Sequence, residues 1–312
     1  MRQTALKTVY ELAKKDSRVV FVGSDLGAGT LKDMKEELPE QFFMEGISEQ
    51  HLIGFAAGLA KEGFIPYVNT IANFFTRRAF EQIAMDIALH DLPVRLLASG
   101  GGMVYAPLGP THTAIEDLSL MSTIPKMRIF APGDANEMRA LIHTSLSDPR
   151  PWYVRFGKGG EPIFSQEAQE TPAAPKVFGH TKGEILILST GILIHESLSA
   201  IEILNKNDGL DVTAVHFPEF TDLHESIWSE LYKEARVVIV AEEHVPNGGL
   251  FSKVLRIAWK EKWDVKKLVH KSLPFKYLHN YGSQKDHLKA HGLDAIGLVE
   301  CLRGELGFKN GI

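Results

Sequence analysis

Apolar residues fall along this chain in two alternating series. In the first, short runs rich in valine and isoleucine, "RVVFVGS" (18–24), "PYVNTI" (66–71), "PVRLLAS" (93–99) and "MRIFAP" (127–132), are separated by stretches of helical pattern. Continuous apolar strands divided by helices predict an α/β fold, a parallel sheet covered on both faces. "EQHLIGFAAGLAKEG" predicts a helix closed by a glycine C-cap, and "DANEMRALIHTSLSD" a helix opened by Asp134 as N-cap. From about 160 to 182 the text becomes "GEPIFSQEAQETPAAPKVFGHT", with three prolines and no sustained period, which is the pattern of a linker. A second series follows: "EILILST" (184–190), a helix over 195–206, "DVTAVHF" (211–217), a helix over 222–235, "RVVIVAEE" (236–243) and a helix over 249–262. The expected organisation is a parallel-sheet domain over 1–165, a linker over 166–182 and a smaller α/β domain over 183–312. No repeat of fixed period and no low-complexity tract interrupts it.

Composition narrows the functions. The chain has 312 residues and 44% hydrophobic content, enough for two ordinary cores. Its 34 basic and 39 acidic residues leave a net charge of -5, and no arginine-lysine stripe with interleaved aromatics offers a field for nucleic acid. The single cysteine, Cys301, cannot form an internal disulfide, and the amino terminus has an amphipathic pattern unlike a signal peptide, so a cytoplasmic protein is expected. No apolar run approaches the roughly 20 residues of a membrane helix. Because the chain opens on a helix and a strand, its start is not expected to be the relic of a truncation.

Few motifs carry recognisable chemistry. "GSDLGAG" (23–29) and "STGILIHES" (189–197) follow strands and precede helices, but neither fits the dinucleotide fingerprint or the P-loop, and both are read as structural turns. "EEHVPNGGL" (242–250) is likewise read as a turn. The 13 histidines include no H-E-x-x-H, and no G-x-S-x-G elbow is present. Three features remain. Glu49 opens the apolar, small-residue stretch "GISEQHLIGFAAGLA" (46–60), either as a first-turn acid in a helix capped by Ser48 or as an acid held for chemistry. Phe74 and Phe75 lie in "NTIANFFTRRAFEQ" (69–82), and His112 follows a turn in "GPTHTAIEDLSLM" (109–121), ahead of Glu116 and Asp117.

Taken in order with "PWYVRFGKG" and "EEHVPNGGL", these segments resemble the C-terminal half of transketolases and of 1-deoxy-xylulose-5-phosphate synthases, from about residue 3 to the C-terminus. The resemblance implies a pyrimidine-binding domain followed by a transketolase C-terminal domain, with thiamine diphosphate as cofactor. It assigns Glu49 as the carboxyl group that hydrogen-bonds the pyrimidine N1′ and so promotes loss of the C2 proton, a task suited to a desolvated acid. It implies that Phe75, or Phe74 after a slip of one residue, stacks on the aminopyrimidine, and that Ile47 also lines the cofactor. His112 matches a histidine beside the substrate carbonyl, able to hydrogen-bond or exchange its proton. Arg155 matches an arginine holding the distal phosphate of a sugar; the other reading is a strand-end arginine paired with an acid.

Absences matter as much. The family's diphosphate site uses a G-D-G followed by an asparagine, which together ligate Mg²⁺, and this chain has no G-D-G. The resemblance therefore implies a partner subunit that carries the diphosphate-binding domain and most of the Mg²⁺ ligands. A homodimeric core enlarged to α2β2 is expected. Leu108, Gly100 and Gly101 stand where transketolases place polar sugar contacts, which opens the question of the substrate within the sugar class. The alternatives are the β subunit of a 2-oxo-acid dehydrogenase, a 1-deoxy-xylulose-5-phosphate synthase-like enzyme and a non-catalytic assembly partner.

Overall fold

The structure, a computed structural model, describes residues 1–27, 29–179 and 184–307. Ala28 of the first glycine turn, residues 180–182 at the end of the expected linker, Gly183 and residues 308–312 lie outside the described residues.

Six parallel strands form the first sheet, in the order β2-β1-β3-β4-β6-β5. They are β1 (Val19–Gly23), β2 (Phe42–Met44), β3 (Ile65–Ile71), β4 (Arg95–Ser99), β5 (Arg128–Phe130) and β6 (Trp152–Phe156). Every residue of β1, β3, β4 and β6 is buried, which is why these strands lack alternation: helices cover both faces. The covering helices are α1 (Arg2–Ala13), α2 (Lys32–Glu37), α3 (Glu49–Lys61), α4 (Ala72–Arg78), α5 (Phe80–Gln82, continuing into a π-helical stretch Ile83–Ala88), α6 (Asp117–Met121) and α7 (Ala135–Ser145). Beyond the last turn of α3, Gly63 adopts φ +92°; its N–H bonds Ala60 O and that of Phe64 bonds Leu59 O, the Schellman arrangement behind the glycine signal. The α7 start is as expected, with Asp134 Oδ1 accepting from the Glu137 N–H at 2.9 Å.

The second sheet has the order β11-β10-β8-β9-β7. Its strands are β7 (Lys176–Gly179), β8 (Ile185–Thr190), β9 (Val212–Phe217), β10 (Val237–Glu242) and β11 (Leu268–Ser272), with α8 (Ile194–Asp208), α9 (Glu225–Glu234), α10 (Leu250–Lys260), α11 (Gln284–Ala290) and α12 (Ala295–Glu305). One correction concerns the linker over 166–182: its C-terminal part is β7, which pairs antiparallel with β9 at the sheet edge. Four half-exposed residues after a run of prolines carry too little apolar signal to read as a strand. In "EEHVPNGGL" the turn is closed by Glu242, whose carboxylate accepts from the Leu250 N–H at 2.6 Å and from His270 Nε2 at 2.6 Å. Among the described residues no helix is long and apolar enough to cross a membrane.

The two sheets share a core, one apolar cluster running from Val22, Leu52 and Phe75 to Leu188, Val215 and Trp228. A buried polar tie reinforces it. Glu137 on α7 accepts from the Gly133 N–H at 2.7 Å, from His216 Nε2 on β9 at 2.9 Å and from Lys176 Nζ on β7. Burial alone would raise its pKa, but His216 and Lys176 outweigh burial and hold the carboxyl at about 2. The folded pKa thus lies below the ordinary 4.5, so the stabilisation is complete above about pH 4.5 and drains away as the pH falls toward 2. Glu137→Gln removes one partner of a buried pair and is expected to lower unfolding free energy by about 3 to 5 kcal/mol. Denaturant titration at pH 7 checks the size. Repeating it from pH 5 down should show a flatter acid loss in the variant.

Candidate active site

The candidate site lies at the C-terminal ends of β1 and β3, the end of an open parallel sheet at which ligands bind. Glu49 is the first residue of α3, and its side chain is only 3% exposed. Ser48 does not cap this helix through its side chain; its hydroxyl donates to Glu45 O at 3.1 Å. The Glu49 carboxylate instead faces Thr70 at the end of β3, whose hydroxyl donates to Oε1 at 3.5 Å, and Arg78 of α4, whose Nη1 donates to Oε1 at 3.3 Å and Oε2 at 3.2 Å. Ser24 Oγ, at the end of β1, lies 3.1 Å from Thr70 Oγ1 and backs this arrangement.

The short helix α4 organises the rest. Residues four apart share a helix face, and α4 presents two such pairs. Phe74 and Arg78 form one: the guanidinium carbon sits 3.9 Å from the centre of the Phe74 ring. Asn73 and Arg77 form the other and hold the histidine turn. Asn73 Nδ2 donates to Thr111 O, while Arg77 donates to Pro110 O at 2.8 Å and to Glu116 Oε1 at 2.8 Å. That turn brings the His112 ring edge-on to Phe74, with centroids 5.3 Å apart, and Thr111 Oγ1 shares a 2.8 Å hydrogen bond with His112 Nδ1. Partial burial lowers the His112 pKa, and the positive charge of Arg78 lowers it further. The imidazole is therefore neutral at pH 7, the form that can accept a proton. Glu49, Arg78, Phe74 and His112 make one continuous cluster.

Of the residues predicted from sequence, Glu49, Phe74 and His112 meet here. Phe75 does not: it is fully buried in the shared core, edge-on to Tyr153 with centroids 6.5 Å apart. Neighbours on a helix point about 100° apart, and α4 turns Phe75 inward while Phe74 faces Arg78 and His112. Ile47 is 68% exposed just ahead of Glu49, an apolar side chain turned to solvent at the rim. Leu108 is also exposed, in the turn that leads to Gly109, where φ is +77°. Arg78 was not anticipated, although the i, i+4 spacing from Phe74 is visible in "FFTRR".

Arg155 lies apart from this cluster. It is buried at the junction of the two sheets. Its Nη2 donates to Glu243 O at 2.8 Å, and its Nε lies 3.4 Å from Asp117 Oδ2, which also accepts from the Tyr153 hydroxyl at 2.9 Å. Burial pushes the neighbouring Glu243 carboxyl up, opposed by Arg155. Gly101 and Gly102 leave the room this packing needs, since a Cβ at either would collide with Arg155 or Glu243. The guanidinium thus joins the domains and forms the strand-end ion pair of the alternative reading.

Among the described residues no group of three or more His, Cys, Asp or Glu side chains could hold a metal ion. The cluster does suit an aminopyrimidine: an acceptor carboxylate beside an aromatic ring already accommodates a planar cation bearing N–H donors. If this slot is used, the ring on its face distinguishes the two phenylalanines. Phe74→Ala is expected to weaken cofactor binding in an assembled enzyme about tenfold with little loss of stability, whereas Phe75→Ala should cost about 3 to 5 kcal/mol of folding free energy. Parallel denaturant and cofactor titrations of the two variants check this.

Comparison with known proteins identifies the two domains. Residues 1–160 match the family model "Transketolase, pyrimidine binding domain", and residues 178–297 match "Transketolase, C-terminal domain". Curated relatives include 1-deoxy-D-xylulose-5-phosphate synthases from Syntrophus aciditrophicus, 32% identical over 95% of this chain and 45% of the relative, and from Dictyoglomus thermophilum, 35% identical over 89% and 45%. The chain spans about half the length of these relatives. Among solved structures, one described as "Split gene transketolase, inactive beta4 tetramer" superposes with a TM-score of 0.85 at 30% identity, covering 99% of this chain and 98% of that one. A transketolase from Campylobacter jejuni shares the fold, with a TM-score of 0.78 at 19% identity over 97% of this chain and 46% of that one. The chain belongs to the transketolase family of thiamine-diphosphate enzymes and carries that family's pyrimidine-binding and C-terminal domains.

Proposed function

We propose that this chain is the C-terminal subunit of a split, thiamine-diphosphate-dependent transketolase, moving a two-carbon ketol unit between sugar-type substrates once a separate subunit supplies the diphosphate-binding domain. The observation that carries the reading is the continuous cluster of Glu49, Arg78, Phe74 and His112 at the end of the parallel sheet. Support for a separate subunit comes from the missing G-D-G and from the split-gene relative, which this chain matches from end to end. In this reading the partner also holds most of the Mg²⁺ ligands, and the assembled enzyme is α2β2.

The residues divide the work. Bound thiamine diphosphate supplies the carbon nucleophile that cleaves and forms the bond beside a carbonyl. Glu49, nearly excluded from water, holds a proton at the pyrimidine N1′. Thr70 fixes its Oε1, and Phe74 gives the pyrimidine an aromatic face. His112, neutral at pH 7, accepts a proton from a substrate hydroxyl and returns it. Its replacement by alanine is expected to cut kcat by about a hundredfold and raise KM as well, leaving cofactor affinity nearly unchanged; steady-state kinetics and calorimetry check the split.

The curated relatives favour a second reading, 1-deoxy-D-xylulose-5-phosphate synthase activity. Leu108, Gly100 and Gly101 fit it in so far as they leave the usual ketose contacts empty. Co-expression with the gene product carrying the diphosphate-binding domain, followed by mass spectrometry of products from a panel of ketoses with aldose phosphates, and from pyruvate with an aldose phosphate, tests the proposal. Ketol transfer supports it. Formation of 1-deoxy-D-xylulose 5-phosphate alone selects the second reading, and no product from any pairing rejects both.

A further inference from the structure

We propose that Arg78 occupies the pyrimidine slot of the cofactor-free chain as an internal stand-in, so that the cofactor must displace it to bind. The inference rests on the reading of Glu49 and Phe74 as pyrimidine contacts. The Arg78 guanidinium makes the two interactions that reading assigns to the aminopyrimidine: it donates to both Glu49 oxygens, at 3.3 and 3.2 Å, and lies over the Phe74 ring at 3.9 Å. A guanidinium is planar, permanently charged and rich in N–H donors, so it both stacks and hydrogen-bonds where a lysine would do only one. Two planar groups cannot share one face of Phe74 and one carboxylate edge. Binding of the pyrimidine and retention of Arg78 therefore exclude each other.

Both the presence of the stand-in and its ease of removal have physical grounds. Glu49 is nearly fully buried, and an ionised carboxylate without a partner there would be destabilised. Arg78 supplies that partner while its own side chain stays 48% exposed, leaving an open way outward into water. The guanidinium also faces His112, whose ring adjoins the same phenylalanine, so displacement changes the charge next to both other members of the cluster. If nine chains in ten hold Arg78 in the slot, apparent affinity for the pyrimidine falls about tenfold below its intrinsic value.

The test uses the full chain without partner or Mg²⁺, titrated with the free aminopyrimidine alcohol of thiamine and followed by NMR of the Phe74 ring and the Arg78 Nε–H. Wild type, Arg78→Met and Arg78→Lys are compared. Displacement predicts that Arg78→Met binds the pyrimidine about tenfold more tightly than wild type, that Arg78→Lys falls between them, and that the wild-type Arg78 signal moves to its solvent-exposed position at saturation. Equal or weaker binding by Arg78→Met overturns the stand-in and leaves the pyrimidine site intact. Absence of binding to all three chains overturns the pyrimidine reading of Glu49 and Phe74, and the stand-in with it. Arg78→Lys retains the charge beside Glu49, so it keeps the comparison decisive if the methionine variant is poorly folded.

Discussion

Glu49→Gln is expected to lower kcat of the reconstituted enzyme by at least about a hundredfold. Glutamine keeps the size of the side chain and can still accept from Thr70, but it has no acidic proton to hold at N1′. Acid-base contributions of this kind are typically about 10² to 10⁴-fold, or roughly 3 to 5 kcal/mol of barrier. Folding should survive. The position is nearly isosteric, and Arg78, half in water, can turn outward once its partner carboxylate is gone. Steady-state kinetics of the co-expressed pair, with thermal unfolding as a control, gives the answer. A fall in kcat without loss of stability identifies a chemical role, whereas a helix-capping acid would show the reverse.

That Glu49 and His112 lie near one another was legible because each sits in a distinctive string, "GISEQH" and "GPTH", at a helix start and a turn. Phe74 and Phe75 were not separable. They are adjacent, equally apolar, and sorted only by the point at which β3 ends and α4 begins. The surroundings of Arg155 were hidden for another reason. The Glu243 carbonyl that it bonds lies 88 residues on, just past the end of β10, and no local pattern reveals such a contact. The strands follow the same logic: β1, β3 and β4 are continuous apolar runs and were read directly, while β2, with three residues, and β7, with alternating exposure, carry too short a pattern.

The second large effect concerns cofactor binding. By itself the chain is expected to show no micromolar site for thiamine diphosphate, even with Mg²⁺. It carries the pyrimidine end of the site, and hydrogen bonds to charged groups contribute about 1.5 to 3 kcal/mol each. Losing the contacts to a diphosphate therefore costs at least about a hundredfold in affinity. The internal contact between Arg78 and Glu49 adds to the deficit. Isothermal titration into the chain, the partner and their mixture checks this, with tight binding expected only from the mixture. Light scattering of the same samples should show the mass rising from a homodimer to an α2β2 assembly, and a chain that stays monomeric with or without its partner contradicts the proposed assembly.

The most direct measurement is exchange of the cofactor's C2 proton for deuterium, followed by NMR after acid quench in the reconstituted enzyme. Wild type and His112→Ala should exchange at similar rates, because His112 acts at the substrate, while Glu49→Gln should be slower by at least about a hundredfold. If Glu49→Gln exchanges as fast as wild type, Glu49 has no part in activating the cofactor, and its burial at the start of α3 serves the helix and its ion pair with Arg78 alone.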